Sequence, residues 1–195
     1  MIIEIDGLDL WYEVLGKGEP VLVLHGWGGD IDSVRPLIEQ LGGKFQAYGL
    51  DLPGFGRSGL PDKPWGTHDY QRLVSRFISR LDLAPVYIIG HSFGGRIGIC
   101  LGAEEPQLIK KLVLVDSAGI KPKRTLAYYL KVYAYKLGKT LLKPWGSLGG
   151  RGLKRWHKLF GSQDYRQSGA LRKTLVKVVN EDLRDLLPKI NPPPC

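Results

Sequence analysis

The sequence predicts an α/β fold with a doubly wound, mainly parallel sheet, and two features of the apolar pattern support this prediction. In the first part of the chain, short apolar runs alternate with stretches of helical periodicity, the order that builds a parallel sheet with helices on both faces. From Pro122 onward only helical periodicity occurs. We therefore predict an α/β core at residues 1–117 and a helical cap inserted at residues 118–188.

Each predicted element follows from its own run of residues. Short apolar or alternating segments favour strands, whereas apolar residues at spacings of three and four favour helices. The predicted strands lie near residues 2–5, 9–14, 21–24, 45–50, 86–89 and 112–115, and the predicted core helices near 33–41, 68–81 and 95–104. The cap residues with helical spacing are Leu126, Leu130, Tyr133 and Leu137, followed by Leu171, Leu175 and Val178.

One serine, Ser92, stands where the strand predicted at 86–89 turns into a helical pattern. Gly90 and Gly94 flank it, and they allow a turn so tight that a Cβ at either position would meet the neighbouring backbone. A strand–turn–helix of this form is a nucleophile elbow, which lifts the serine Oγ clear of the sheet edge. The pattern therefore predicts that Ser92 is a catalytic nucleophile.

A second glycine-rich segment and two further motifs accompany the elbow. With them the chain resembles the α/β-hydrolase family, because the motifs occur in the family's order and at its spacing, from about residue 3 to about residue 190. The resemblance therefore implies the α/β-hydrolase fold. The motifs are the apolar run Val21–Leu24 ending in His25-Gly26-Trp27-Gly28-Gly29, the segment Asp51-Leu52-Pro53-Gly54-Phe55-Gly56-Arg57-Ser58, and the segment Leu112-Val113-Leu114-Val115-Asp116.

The resemblance implies hydrolysis by serine attack on a small, apolar carbonyl substrate, an ester or a compound with a cleavable carbon–carbon bond. The developing oxyanion needs preorganised backbone donors. In the family these are the amide after the nucleophile and one from the loop after the third strand, here Phe93 and Trp27. Serine, base and oxyanion hole suffice, so no metal or organic cofactor is expected. The serine at Ser92 excludes the epoxide- and halide-displacing members, which carry aspartate there.

The rest of the family's catalytic triad has no counterpart in the sequence. The family's acid and histidine follow the nucleophile in chain order, but the one histidine after Ser92 is His157, within the basic cap region. We expect residues 189–195 to be the start of a truncated seventh strand. The alternative function is therefore a catalytically incomplete fragment or a noncatalytic module of the same fold.

Three other polar residues near these motifs have a structural interpretation beside the catalytic one. His25 and His91 border glycine turns, where a histidine more often supports the backbone through hydrogen bonds than acts as a base. Asp116 lies at the end of the sixth strand, from which some family members take their acid. We favour the interpretation that Asp116 caps the following turn through its own side chain.

Truncation would leave the strand at Leu112–Val115 at the edge of the sheet. A strongly apolar edge strand recruits partners through its unpaired amides and carbonyls. Lys110 and Lys111, just before it, give some protection. We therefore expect the chain to self-associate through this edge or to be marginally stable.

Charge is distributed unevenly along the chain. Residues 1–120 carry 11 Lys and Arg against 15 Asp and Glu, whereas residues 121–195 carry 17 against 4, which yields a net charge of +9. We interpret the basic residues as the solvated face of a lid and keep an anionic membrane surface as the less favoured alternative. No nucleic-acid partner is expected, because no nucleic-acid-binding module accompanies the charge.

The N-terminal residues bear on the localisation of the protein, and the two cysteines bear on disulfide and metal chemistry. The first residues, Met1–Gly7, lack a basic head and a long apolar run, so we expect a first strand of a cytoplasmic protein rather than a signal peptide. Cys100 and Cys195 have neither a disulfide framework nor metal-ligand spacing.

Overall fold

A computed structural model describes residues 1–121 and 168–190 of the chain. The chain divides into two compact units, one of residues 1–121 with 170–195 and one of residues 122–169. The fold described below belongs to the first unit. The predicted cap residues Leu126 to Leu137, His157 and the last five residues lie outside the described part of the chain.

Six strands form one sheet in the order β1-β2-β4-β3-β5-β6. The last four in this order run parallel to one another, whereas β1 and β2 extend the sheet by antiparallel pairing. The predicted α/β fold and mainly parallel sheet are confirmed. The strands are β1 (Ile2–Ile5), β2 (Leu8–Leu15), β3 (Pro20–Leu24), β4 (Gln46–Leu50), β5 (Val86–His91) and β6 (Ile109–Val115).

Helices cover both faces of this sheet, as a doubly wound fold requires. Successive residues of β3 point to opposite faces: Val21 and Val23 belong to the core under the first helix, whereas Leu22 and Leu24 belong to the larger core that includes residues of the second and third helices. The helices are α1 (Ile31–Leu41), α2 (Thr67–Arg80), α3 (Phe93–Glu104) and α4 (Arg172–Asn180), with short 3-10 turns at Pro106–Leu108, Gly169–Leu171 and Arg184–Lys189.

The strand order positions the candidate site. The chain leaves β3 for β4 on one side, and β5 then returns to pair with β3 on the other side. Ligands of open α/β sheets bind at the carboxyl ends of the strands where the order reverses in this way. The loop after β3 and the turn after β5 therefore meet at this edge.

The segment at residues 170–190 packs on the same core as the strands. Leu171 and Val178 are buried in the larger core, and Leu183 packs with Ile99 and Cys100 of α3. Helix α4 forms where the spacing of Leu171, Leu175 and Val178 predicts one. The cap at 118–188 stays a prediction, because most of that range lies outside the described residues. No helix in the described ranges is both long and apolar enough to cross a bilayer.

Strand β6 ends the sheet on the side opposite β1, as expected for Leu112–Val115. Its side chains stay accessible: Val113 is 50%, Leu114 40% and Val115 45% exposed. In the part of the chain that the structure describes, β6 pairs with β5 alone. Among the described residues, no strand pairs with the other side of β6.

Candidate active site

Ser92 occupies the turn between β5 and α3 in a strained backbone conformation, with φ 48° and ψ −103°. Residues other than glycine rarely adopt positive φ, and such conformations cluster at functional sites. Hydrogen bonds hold the turn against the end of β6: the Ser92 amide donates to the Val115 carbonyl over 3.0 Å, and the Ala118 amide donates to the Ser92 carbonyl over 3.2 Å. The elbow, which follows β5, is therefore held against the end of β6 and the turn after it.

Two glycines make this turn possible, as the sequence predicts. A Cβ on Gly90 would lie 2.6 Å from the Gly94 carbonyl oxygen, and a Cβ on Gly94 would overlap the Leu24 carbonyl oxygen of β3. Both contacts are with backbone, which cannot move aside as a flexible side chain can. Helix α3 therefore begins close against β3 and β5.

The loop after β3 lies beside the elbow. The Gly94 amide donates to the His25 carbonyl over 3.1 Å, and a Cβ on Gly26 would lie 3.5 Å from Ser92 Cβ. The Trp27 and Phe93 rings pack edge to face, with centroids 5.2 Å apart. The structure thus brings together the segments that carry the three predicted site residues, Ser92, Trp27 and Phe93.

The backbone amides of Trp27 and Phe93 are available as donors. Phe93 is the first residue of α3, where an amide has no partner within the helix. Among the described residues, neither the Phe93 nor the Trp27 amide donates a hydrogen bond. Ser92 itself is half-buried, so a ligand atom can reach the elbow.

His25 has the structural role that the sequence analysis favours. It is fully buried, its Nε2 accepts from the Leu52 amide over 3.0 Å, and its Nδ1 lies 2.8 Å from the Gly26 carbonyl oxygen. These partners require a proton on Nδ1 and none on Nε2. Burial lowers the pKa of His25, so the neutral ring braces the loops after β3 and β4.

Asp51 and Ser58 brace the same edge, a role that the sequence analysis did not assign. Asp51 is buried, and its two carboxylate oxygens accept from the Ile31 amide at 2.7 Å and the Arg57 amide at 2.8 Å. Ser58 Oγ donates to the Asp51 carbonyl at 2.6 Å and accepts from the Trp11 amide at 2.8 Å. The motif at residues 51–58 therefore positions the start of α1 and supports the loop that holds the elbow.

Aromatic rings enclose the elbow from the core side. Phe55 packs edge to face on Trp27 with centroids 5.0 Å apart, and Tyr70 packs on Phe93 at 4.9 Å. The Tyr70 hydroxyl donates to the Pro53 carbonyl over 3.1 Å, and burial raises the pKa of Tyr70. The contacting residues of this cluster are 17 to 28 positions apart in the sequence, and no local motif predicted it.

His91 and Asp116 border the elbow without hydrogen-bonding to Ser92. His91 ends β5 opposite Val115 and is exposed. Asp116 is exposed and adopts a left-handed conformation with φ 44°. Within the described residues its carboxylate accepts no hydrogen bond, so the prediction that Asp116 caps the next turn through its side chain is wrong. The turn instead depends on the left-handed backbone at Asp116.

The described residues place no histidine against Ser92 Oγ. Both nitrogens of His25 are engaged in the core, and His68 lies on the surface 3.3 Å from Glu104. His157 lies outside the described part of the chain. In that part, no group of three or more His, Cys, Asp or Glu side chains is arranged to hold a metal ion.

The doubly wound sheet and the strained strand-to-helix turn at its carboxyl edge together define an α/β fold of the hydrolase class. Residues 19–155 match the family model for the alpha/beta hydrolase fold, and the chain belongs to this family.

Three known proteins illustrate the likeness. The chain is 29% identical over 135 residues to the dihydrolipoyllysine-residue acetyltransferase component of the acetoin cleaving system of Pseudomonas putida, matching 69% of this chain and 36% of that protein. It is 31% identical over 118 residues to the 2-hydroxy-6-oxo-6-(2'-aminophenyl)hexa-2,4-dienoic acid hydrolase of Metapseudomonas resinovorans, matching 58% of this chain and 41% of that protein. The enol-lactonase of Burkholderia xenovorans LB400 superposes with a TM-score of 0.70 at 21% identity, covering 98% of this chain and 78% of that one. The chain thus spans about two fifths or less of the curated relatives' length.

Proposed function

We propose that Ser92 is the nucleophile of a hydrolytic site. The observation that carries this proposal is the strained conformation of Ser92, φ 48° and ψ −103°, at the carboxyl edge of the sheet. Backbone strain of this kind costs about 1–3 kcal/mol, persists only where the surrounding structure enforces it, and clusters at active sites. The close approach of Gly90 and Gly94 to neighbouring backbone supports the same role.

In the proposed reaction, Ser92 Oγ attacks a substrate carbonyl carbon while its proton passes to a base. The carbonyl oxygen becomes negative, and we propose that the Trp27 and Phe93 amides stabilise it, because both amides lack partners in the described part of the chain. The leaving group departs with a proton, and water then hydrolyses the acyl-serine. Such donors contribute about 10²–10³ in rate each.

The proposed substrates are small apolar compounds with an ester or a cleavable bond next to a carbonyl. The aromatic rings of Trp27, Phe55 and Phe93 beside the elbow support an apolar substrate. The relative from Metapseudomonas resinovorans, named as a hydrolase of a dienoic acid, supports carbon–carbon bond cleavage as one of the two chemistries.

A second candidate function is that of a noncatalytic or incomplete module, and one observation favours it. The described residues hold no histidine within hydrogen-bonding distance of Ser92 Oγ. A serine hydroxyl without a base is a weak nucleophile at neutral pH, and loss of a triad member costs about 10⁴–10⁶ in turnover. We therefore expect the 195-residue chain to show negligible esterase turnover by itself.

Imidazole rescue distinguishes the two functions. The chain is incubated with p-nitrophenyl acetate, and acylation of Ser92 is followed by p-nitrophenol release and by mass spectrometry. If the oxyanion donors and the nucleophile are in place, added imidazole should act as the missing base and accelerate acylation at Ser92.

The control variants are Ser92→Ala and Ser79→Ala, the latter at an exposed serine on α2. Acylation should be lost in Ser92→Ala and kept in Ser79→Ala. Equal acylation in wild type and Ser92→Ala would refute the nucleophile assignment, and no acceleration by imidazole would favour the noncatalytic module.

A further inference from the structure

The peptide group between Ser92 and Phe93 contains both the Ser92 carbonyl and the amide proposed as an oxyanion donor. This peptide is trans, and a trans peptide is planar with its carbonyl and its N–H pointing in opposite directions. The direction of the Phe93 N–H is therefore fixed once the direction of the Ser92 carbonyl is fixed.

Two backbone amides donate to the Ser92 carbonyl. One is the amide of Arg96, in the first turn of α3, and the other is the amide of Ala118, in the turn after β6; each distance is 3.2 Å. A carbonyl oxygen has two lone pairs, so the described residues use both of them. These two bonds hold the Ser92 carbonyl.

The side chain of Arg96 anchors the first turn of α3. It is 6% exposed, and its Nη2 donates to the Val178 carbonyl over 2.7 Å and to the Glu181 carbonyl over 3.0 Å. Its Nε donates to Thr67 Oγ1 over 3.2 Å. Because these acceptors lie at the start of α2 and at the end of α4, the guanidinium holds the Arg96 backbone against both helices.

The turn that carries the Ala118 amide is bonded to the same region of the chain. The Leu183 amide donates to the carbonyl of Gly119 over 2.8 Å. Leu183 is 2% exposed and packs on α3. Residues 178–183 therefore bond to both of the structures that hold the Ser92 carbonyl.

We propose that Arg96 is a positioning residue for the oxyanion donor at Phe93, and that residues 178–183 set the direction of this donor through Arg96 and Gly119. The inference rests on the proposed function, because it gives the Phe93 amide a use. As the first residue of α3, Phe93 has no intrahelical acceptor that would aim its amide. A donor to a developing oxyanion must be aimed before the reaction begins.

Selective isotope labelling observes this peptide alone. Ser92-Phe93 is the single Ser-Phe step in the sequence. A chain labelled with carbonyl-¹³C serine and ¹⁵N phenylalanine therefore yields one cross-peak in a carbonyl–amide correlation spectrum. A carbonyl that loses a hydrogen bond shifts its ¹³C resonance to lower ppm, so the cross-peak reports the bonds to the Ser92 carbonyl rather than the stability of the fold.

Three replacements should move the cross-peak. Arg96→Met removes the guanidinium, and replacement of Ala118 by lactic acid turns its amide into an ester without an N–H. We expect both to shift the Ser92 carbonyl to lower ppm, and Arg96→Lys, which keeps a cationic donor, to shift it less. Ala118 is exposed, so its replacement keeps the core intact. If Arg96→Met does not fold, Arg96→Lys and the lactic acid variant carry the test.

Two control variants should leave the cross-peak in place. Ile38 is buried in the core under α1, so Ile38→Ala destabilises the fold through a cavity that does not touch α3. Replacement of Ile120 by its hydroxy acid is the control for the ester, because the Ile120 amide donates no hydrogen bond in the described ranges.

The imidazole-supported acylation of Ser92 supplies a second readout. An oxyanion contact acts in the transition state and not on the bound ester. A misdirected donor should therefore lower the maximal rate and leave the apparent KM for p-nitrophenyl acetate unchanged. We expect a loss of about tenfold for Arg96→Met, less than the roughly 10²–10³ that removal of a donor costs, and no loss for Ile38→Ala.

Three results would overturn the inference: an unmoved cross-peak in the folded Arg96 variants, an equal displacement in Ile38→Ala, or a raised KM with an unchanged maximal rate. Failure of the proposed function gives a different result. In that case the wild-type chain itself would show no imidazole-supported acylation at Ser92, wherever the cross-peak lies.

Discussion

The Arg96 guanidinium connects the first turn of α3 to the C-terminal end of α4, where it contacts Glu181. Its Nη2 donates to the Glu181 carbonyl at 3.0 Å and to the Val178 carbonyl at 2.7 Å, and it lies 3.9 Å from Glu181 Oε2. The same Oε2 accepts from the Thr67 amide at the start of α2 over 2.9 Å. Arg96, four residues after Ser92, thus joins three helix ends beneath the candidate site.

Replacing Arg96 with methionine should destabilise the chain strongly. The side chain of Arg96 is 6% exposed, so its loss leaves the Val178 and Glu181 carbonyls without a donor, at a cost of about 1–3 kcal/mol for each buried group. We expect a loss of about 3 kcal/mol in the free energy of unfolding, measured by urea denaturation. Arg72→Met is the matched control, because Arg72 is 59% exposed in its ion pair with Asp69 and should change stability by less than about 1 kcal/mol. Similar losses in both variants would contradict a special role for Arg96.

Replacing Ser92 with glycine should make the chain more stable than replacing it with alanine. Alanine keeps the strain of φ 48° at Ser92, whereas glycine adopts it freely. Relief of the strain stabilises the glycine variant by about 1–3 kcal/mol. The larger backbone entropy of glycine in the unfolded chain reduces this gain to about 1 kcal/mol, so the Tm of Ser92→Gly should be roughly 2–4 °C higher than that of Ser92→Ala. At Ser79, within α2, the alanine variant should instead be more stable than the glycine variant, because glycine is a poor helix former. A lower Tm for Ser92→Gly than for Ser92→Ala would mean that the turn is not strained.

Substitutions at Trp27 should separate a backbone role from a side-chain role. Because the proposed oxyanion donor is the Trp27 amide, Trp27→Phe should keep the imidazole-supported acylation of Ser92, whereas Trp27→Pro removes the donor and should slow it by on the order of 10². The acylation rate is measured in variants whose thermal melts match the wild type. Equal losses from both substitutions would point to the indole ring instead.

Stability should fall with pH below about 6.5, the usual pKa of histidine, in a manner that depends on His25. Burial is the largest cause of its lowered pKa in the fold, and it outweighs the opposing effects of the Gly26 carbonyl, Asp51 and Asp30. As the pH falls, His25 therefore takes up a proton in the unfolded chain before it does so in the folded chain. The stability that neutral His25 contributes is complete above the pKa of the unfolded state and is lost as the pH falls toward the lowered pKa of the folded state.

This loss can reach about 1.4 kcal/mol per pH unit for one proton. Urea midpoints between pH 7.5 and 5 measure it. His25→Gln retains a donor and an acceptor without titrating, so it should show a smaller slope. Parallel slopes for the two proteins would exclude His25 as the source.

The local sequence pattern was sufficient to predict most of the fold, because apolar residues recur with different periods in strands and in helices. The strand at Val21–Leu24 and the helix after Ser92 are visible in the sequence, since a run buried on both faces is continuously apolar and an elbow needs glycine on both sides. The pattern did not predict the bracing roles of Asp51 and Arg96. Their partners, such as Ile31 and Glu181, are 20 and 85 residues away, and a contact across such a distance leaves no local signal.

By itself, the amino-acid sequence determined the α/β class, the family resemblance and the elbow at Ser92. These features depend on steric demands that act within a few residues, such as the tight turn at Gly90 and Gly94. Only the tertiary structure decided that His25 is a neutral brace and that the side chain of Asp116 caps no turn. Both depend on what packs around a side chain: burial and two fixed partners hold His25, whereas exposure leaves the Asp116 carboxylate without a partner among the described residues.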